Sequence, residues 1–295
     1  MAGDPALAQG FNEGYRKCEK CHEPEVEVWK QTAHSKAYQT THRKDEAKKI
    51  LEAGGGGASM RQNSNCAICH YTETKSSASA KPQVSSGPSC ESCHGASSEW
   101  RDIHNFYGDK IDDPAKEPPA NRTKRLADAR KAGMIWSFMT YDIAANCNEC
   151  HGLAHPRLKG EVLSKMLDAG HPGEPDFELV QYSQGSVRHR FYPPDMAKNA
   201  EMKPAELGRL YVVGQAAKLV SATAALGKST HAKYQALQKK RAEDARAALQ
   251  PVADLAEVKA LLAKPSHDTA RKVADALKDK DVSAKLKLPA KSTYK

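Results

Sequence analysis

CEKCH at Cys18–His22 recurs three times along the chain, as CAICH at Cys66–His70, CESCH at Cys90–His94 and CNECH at Cys147–His151. Together the four runs use every cysteine present. Cys-x-x-Cys-His is the attachment pattern of haem c: two thiols add to the vinyl groups, and the adjoining histidine reaches the iron. Other uses of paired cysteines fit less well. A thioredoxin-like dithiol needs no histidine in register, zinc is held by paired CxxC runs without one, and a disulfide scaffold scatters its spacings more widely. The pattern predicts four covalent haems c, held by Cys18, Cys21 and His22, by Cys66, Cys69 and His70, by Cys90, Cys93 and His94, and by Cys147, Cys150 and His151. Haem iron does redox chemistry that no side chain can, so a function built around electrons follows.

The remaining composition agrees with a cofactor-rich chain. Of 295 residues only 39% are apolar and 6% aromatic, a thin supply for one or two domains. Four macrocycles would repair that deficit, and the chain without them is expected to be poorly folded. The start, MAGDPALAQG, has no apolar stretch of signal-peptide length. Because haem c is normally attached outside the cytoplasm, the chain reads as the mature form of a soluble periplasmic or otherwise exported protein. No run of 18 apolar residues predicts a transmembrane helix. The formal charge is +9; with propionates and iron counted, the oxidised protein lies near about +5 and the reduced protein near about +1. An acidic electron-transfer partner suits that balance, although solubility alone also explains the lysines. No recognition motif supports nucleic-acid binding.

The expected fold is mainly α, a multihaem cytochrome c with little regular sheet, followed by an Ala-rich helical bundle. Residues 1–200 form the tetrahaem region, with helical pieces around Pro24–Thr40, Asp45–Glu52 and Leu158–Ala169. Gly54–Gly57, the serine-rich Ser76–Pro88 and the acidic, proline-bearing Asp112–Pro119 read as loops without strand alternation. The character changes after Pro193-Pro194. Residues 201–295 form the helical region: Glu206–Leu226 with an apolar stripe, a second helix capped by Ser229 or Thr230 and running to Leu249, a third over Leu255–Leu262, and a fourth from Pro265-Ser266 to Leu277. The last ten residues, rich in lysine, are expected to be loose.

Eight histidines lie outside the motifs. A low-spin haem takes a sixth ligand, and their supply makes bis-histidine ligation the economical expectation, with low potentials relative to His/Met ligation. His34 follows His22 by twelve residues, too near to double back onto the same haem, so it is expected to reach a neighbour; His104, ten residues after His94, invites the same argument. His231 and His267, in the helical tail, read as surface or packing residues. Trp29, Trp100, Trp136, Phe106, Tyr107 and Phe138 read as packing against porphyrin faces or edges. Arg16, Lys17 and Arg188 would either pair with propionates or simply be solvated.

GYRKCEKCHEPEVEVWKQTAHSKA at Gly14–Ala37, and GPSCESCHG at Gly87–Gly95 with a histidine at 104, resemble the cytochrome c554 family, tetrahaem carriers associated with hydroxylamine oxidoreductase. The resemblance covers roughly residues 14–190; the helical tail looks like an addition. It implies three bis-histidine haems: His22 with His104, His94 with His34, and His151 with His189, for which His171 is the rival. It also implies that the haem held by Cys66, Cys69 and His70 is five-coordinate. Whether that iron is open here is left undecided, because His42, His155 and His171 are all unassigned.

The leading functional expectation is a soluble carrier moving electrons between redox partners, the resemblance pointing to a hydroxylamine-oxidising multihaem enzyme as donor. A small oxidoreductase binding or reducing a nitrogen oxide at an open second haem is one alternative. A subunit of a larger multihaem complex or filament, self-associating through the C-terminal helices, is another.

Overall fold

The fold is seen in a computed structural model that describes residues 10–193 and 195–295. The reading of MAGDPALAQG as the start of a mature chain therefore lies almost wholly outside the described residues. Every CxxCH run sits on a helix. The first lies on and just after α1 (Arg16–Glu19), the second ends α5 (Ser64–His70), the third is α6 (Cys90–His94), and the fourth closes α9 (Thr140–His151). A helical turn brings residues three and four apart to one face, so both cysteines and the histidine of a run share a side.

The expected helix over Pro24–Thr40 is two helices, α2 (Glu23–Gln31) and α3 (Ala33–Thr40). Thr32 separates them with an extended backbone, and its hydroxyl accepts from Ser35 N at 3.1 Å as the α3 N-cap. His34 therefore stands on a different helix from the one His22 caps. The four-glycine run turns the chain between α4 (Ala47–Ala53) and α5. Gly55, Gly56 and Gly57 all have positive φ, which glycine adopts without steric cost. Asn63 fastens the turn, donating to Gly54 O and Gly56 O while its Oδ1 caps α5.

The sheet is one two-stranded antiparallel ribbon, β1 (Thr72–Thr74) on β2 (Gln83–Ser86), with Thr72 opposite Ser86. The serine-rich segment, expected to be wholly loop, thus contributes a strand. Beyond α6 come α7 (Arg101–His104) and α8 (Pro119–Lys131). Pro119 occupies the first turn of α8, where its missing N–H costs nothing; this helix follows directly on the proline-bearing loop.

After α10 (Gly160–Asp168) and the short α11 (Leu179–Ser183), four helices make up the C-terminal region: α12 (Pro204–Leu226), α13 (Ala232–Leu249), α14 (Ala256–Ala263) and α15 (His267–Ala276). Ser266 caps α15 through Thr269 N, but α13 begins after His231 without a side-chain cap. The apolar face of α12 is wider than the expected stripe: Leu210, Val212, Val213, Ala216, Leu219 and Ala222 are all buried, the pattern of a helix enclosed on several sides. It packs on α9, α11, α13 and α15. The main apolar cluster accordingly runs across residue 200, joining Tyr141, Ala144, Phe177, Leu179 and Val180 to the C-terminal helices.

The fourth CxxCH run is held from behind by α13. Arg241, 1% exposed, donates from Nη2 to Asn148 Oδ1 (2.9 Å) and from Nη1 to Gln238 Oε1 (2.7 Å) and Gly152 O (3.3 Å). Gln238 Nε2 also donates to Gly152 O, and Tyr234 OH to Leu153 O. Burial pulls the Arg241 guanidinium down to about 10. The last residues, expected to be loose, are tied back: Lys295 N donates to Gln181 O at 3.0 Å, and Ser186 N to Lys295 O at 2.7 Å. Replacing Arg241 strands buried acceptors on both helices. Arg241→Leu is expected to lower stability by about 3 kcal/mol, read as a lower urea midpoint.

Candidate functional site

The structure draws histidines together in twos. Among the described residues no three His, Cys, Asp or Glu side chains converge as a metal-ion cluster. Four pairs instead join a motif histidine to a remote one. His22 and His104 have ring centroids 6.3 Å apart, His151 and His34 6.0 Å, His70 and His171 5.8 Å, and His94 and His189 6.3 Å. Imidazole nitrogens bind a metal at about 2 Å, so two rings facing each other across one metal have centroids roughly 6 Å apart. All four pairs fit that spacing, and each pairs with two thiols on the same helical turn. The residues present therefore suit four bis-histidine haems c.

Two of the pairs implied by the resemblance are exchanged. His34 meets His151 rather than His94, and His189 meets His94 rather than His151. The way the runs neighbour one another accompanies this. Glu91 of the third run accepts from Gly14 N just ahead of the first, Asn146 Nδ2 beside the fourth donates to Cys93 O of the third, and Cys69 of the second packs on the apolar cluster that contains Leu153, just after the fourth. The first motif thus neighbours the third, the third the fourth, and the fourth the second. The α3 helix, starting beyond the Thr32 break, reaches past the third site to the fourth.

Most of these imidazoles have Nδ1 occupied. His94 Nδ1 lies 2.8 Å from Ile135 O, His171 Nδ1 2.9 Å from Pro172 O, and His189 Nδ1 2.6 Å from Val187 O. His104 Nδ1 bonds Arg101 O, and His151 Nδ1 bonds the Glu174 carboxylate. His22 Nδ1 faces Glu25 at 3.7 Å. A carbonyl or carboxylate on Nδ1 fixes the proton there and leaves Nε2 for the metal, the usual outer support of a ligating histidine. Glu25 raises His22, while burial pulls His34 and His70 down to about 4. Neutral imidazole is the form that coordinates. Burial also holds the Cys66 thiol up at about 11.

The other histidines have different surroundings. His231 pairs with Asp168 at 3.0 Å, and His267 Nδ1 lies 2.9 Å from Tyr141 OH. Buried His155 faces Glu149 at 3.4 Å, and His42 leaves a buried Nδ1 without a hydrogen bond. Trp100 is buried edge-on to His104, and Trp29 donates to Pro88 O. Sequence reasoning passed over Glu174, Phe177 and Tyr182, whose rings or carboxylate surround the His151 ring. The only signal was that Glu174 closely follows His171 in HPGEP.

The chain is also similar in sequence to known proteins. Residues 17–95, which contain the first three motifs, match the family described as cytochrome c554 and c-prime. The chain is 29% identical over 161 residues to cytochrome c-554 of Nitrosomonas europaea, a stretch covering 51% of this chain and 61% of that protein. No solved structure matches. Among the described residues no helix is long and apolar enough to cross a membrane.

The pairing makes a direct test. In the haem-loaded protein, His171→Ala is expected to leave one iron able to bind carbon monoxide, seen as a new ferrous difference band. His42→Ala and His155→Ala are expected to leave the spectrum unchanged.

Proposed function

We propose that this chain is a tetrahaem c-type cytochrome that carries electrons between redox partner proteins in an exported compartment such as the periplasm. One observation carries the reading: four motif histidines each face a remote histidine at the spacing of two ligands on one iron. The similarity to cytochrome c-554 supports it.

When bound, haem c supplies reversible one-electron chemistry at iron. The chain's own residues do the rest. Cys18 and Cys21, Cys66 and Cys69, Cys90 and Cys93, and Cys147 and Cys150 would tether the four groups, and the eight paired histidines would hold their irons. Carbonyls of Arg101, Ile135, Pro172 and Val187, with the Glu174 carboxylate, keep Nδ1 protonated and the rings oriented. Glu174 is the one carboxylate among these supports, the others being backbone carbonyls. The contacts between neighbouring runs order the sites as first, third, fourth and second, so the first and second would be the ends of the row.

A catalytic reading needs a vacant iron at the second site. His171, 5.8 Å from His70, favours the carrier instead. Low-temperature EPR of the oxidised protein tests this: four low-spin haems per chain and no nitrosyl signal with nitric oxide after reduction are expected. One high-spin haem in four that binds nitric oxide would overturn the carrier reading in favour of the enzyme.

The basic α8 helix, near the first and third sites, suits an acidic partner. It carries Arg122, Lys124, Arg125, Arg130 and Lys131, with Lys124 paired to Asp128 and Arg125 to Glu117. Arg125 Nη1 donates to His104 O, and the chain just beyond α8 bonds His94 through Ile135. Reversing Arg122, Arg130 and Lys131 to glutamate is expected to slow oxidation by ferricyanide about tenfold at low salt. The effect should fade at high ionic strength. The same reversals at Lys239, Lys259 and Lys272 serve as the control in stopped-flow measurements.

A further inference from the structure

His189 lies in the longest connection of the C-terminal half, between the end of α11 at Ser183 and the start of α12 at Pro204. Among its described residues the only ladder pairing is the isolated bridge Tyr192–Asp195. A connection of this length without regular structure keeps its shape only through contacts with other parts of the chain. Arg190 pairs with Glu206 of α12, and a second set of contacts comes from residues 291–295.

Lys295 is bonded on both sides of its backbone, its N–H donating to Gln181 O and its carbonyl accepting from Ser186 N. A Cβ on Gly185 would stand 1.8 Å from Lys295 O and 2.6 Å from Lys295 N, so the two segments touch backbone to backbone. Gln181 Nε2 donates to Thr293 Oγ1 at 3.1 Å. Lys291 Nζ binds Glu201 Oε1 at 2.6 Å, and that oxygen lies 3.5 Å from Arg188 Nη1. Arg188 O in turn accepts from Asn199 Nδ2, whose Oδ1 accepts from Arg190 N. The residues on either side of His189 are thereby pinned. The Val187 carbonyl that fixes its Nδ1 belongs to the residue after Ser186.

We infer that residues 291–295 form a latch that positions His189 opposite His94, with Gly185 and Lys291 as positioning residues. The inference rests on His189 being the sixth ligand of the third haem. Without the latch α11 loses the bonds at Gln181, and the 184–203 connection loses those at Ser186 and Glu201. Its imidazole is then free to leave the iron, which becomes accessible to a small ligand.

The test uses the full-length haem-loaded protein. Gly185→Ala drives a methyl into the Lys295 backbone without touching His189. Lys291→Glu, which faces Glu201 with a like charge, is the second variant should alanine at 185 prevent folding. Wild type is expected to be low-spin at all four haems and to bind no carbon monoxide. Each variant is expected to show one high-spin haem and to bind one carbon monoxide per chain. His189→Ala should give the same single equivalent, and Gly185→Ala combined with His189→Ala should still give one, because both act at one iron. Variants that stay low-spin and silent to carbon monoxide on a four-low-spin wild type would overturn the latch alone, as would two equivalents in the double variant. A His189→Ala variant that gains no high-spin haem over wild type would remove the reading on which the latch rests, and the latch with it.

Discussion

The contact of two imidazoles across about 6 Å, made four times, is the constraint on which the rest of this structure depends. Each pair spans a large part of the sequence: 22 with 104, 34 with 151, 70 with 171, and 94 with 189. The spans overlap, so no pair can close around a segment that leaves the others undisturbed. Metal ligands tolerate only small errors in distance. With the four pairs ligated as proposed, eight backbone positions spread over 22–189 would be fixed relative to one another, and the loops between them would be free to be irregular. This is how a region poor in apolar side chains tolerates glycine and serine runs. Closing such long spans also restricts the unfolded chain, a stabilisation that grows slowly with span length.

The C-terminal helices answer a different need. The α9 helix ends in the fourth motif, and its last carbonyls carry the negative end of the helix dipole. Arg241 meets that end through Gly152 O and Asn148 Oδ1. A buried guanidinium without a carboxylate beside it is costly unless its donors are used. Here Gln238, Asn148, Gly152 and Ser221 take up both terminal nitrogens. The α12–α15 helices thus continue the fold of the motif region, with a core shared through Tyr141, Ala144 and Leu179.

How much of this was legible depended on how local the cause was. The four Cys-x-x-Cys-His runs were readable outright as runs, because thiol and histidine spacing is a property of one helical turn. The ends of α12, α14 and α15 followed from Pro204, Leu255 and Ser266 to within two residues. The mainly helical class also followed from the lack of strand patterning, although β1 and β2 escaped because three or four residues are too few to alternate visibly. Histidine partnership was harder to read. Spacing along the chain measures contour, whereas pairing needs proximity in space: spacing sent His34 to a neighbouring site without saying which, and beyond the Thr32 break between α2 and α3 it meets His151 and not the His94 that the resemblance implied. Arg241 carried no signal at all: in the charged run KKRAEDAR it looks like any solvated cation, and only its burial in the fold against Asn148, Gly152 and Gln238 sets it apart.

The distal histidines also differ in what supports them, and this follows from where each sits. His34 and His104 lie on helices, α3 and α7, whose own hydrogen bonds set the direction of the side chain. His171 and His189 lie on connections, so their direction depends on nearby carbonyls and on the segments that hold those carbonyls in place. Both fall in the stretch that packs against the C-terminal region, where Lys218 Nζ binds Pro175 O and Gly214 admits Leu179 within 2.7 Å of where a Cβ would stand. A helix supplies a ligand with its own rigidity, whereas a loop must borrow it. The second and third sites, served by loop histidines, therefore depend on residues beyond 200 in a way the first does not.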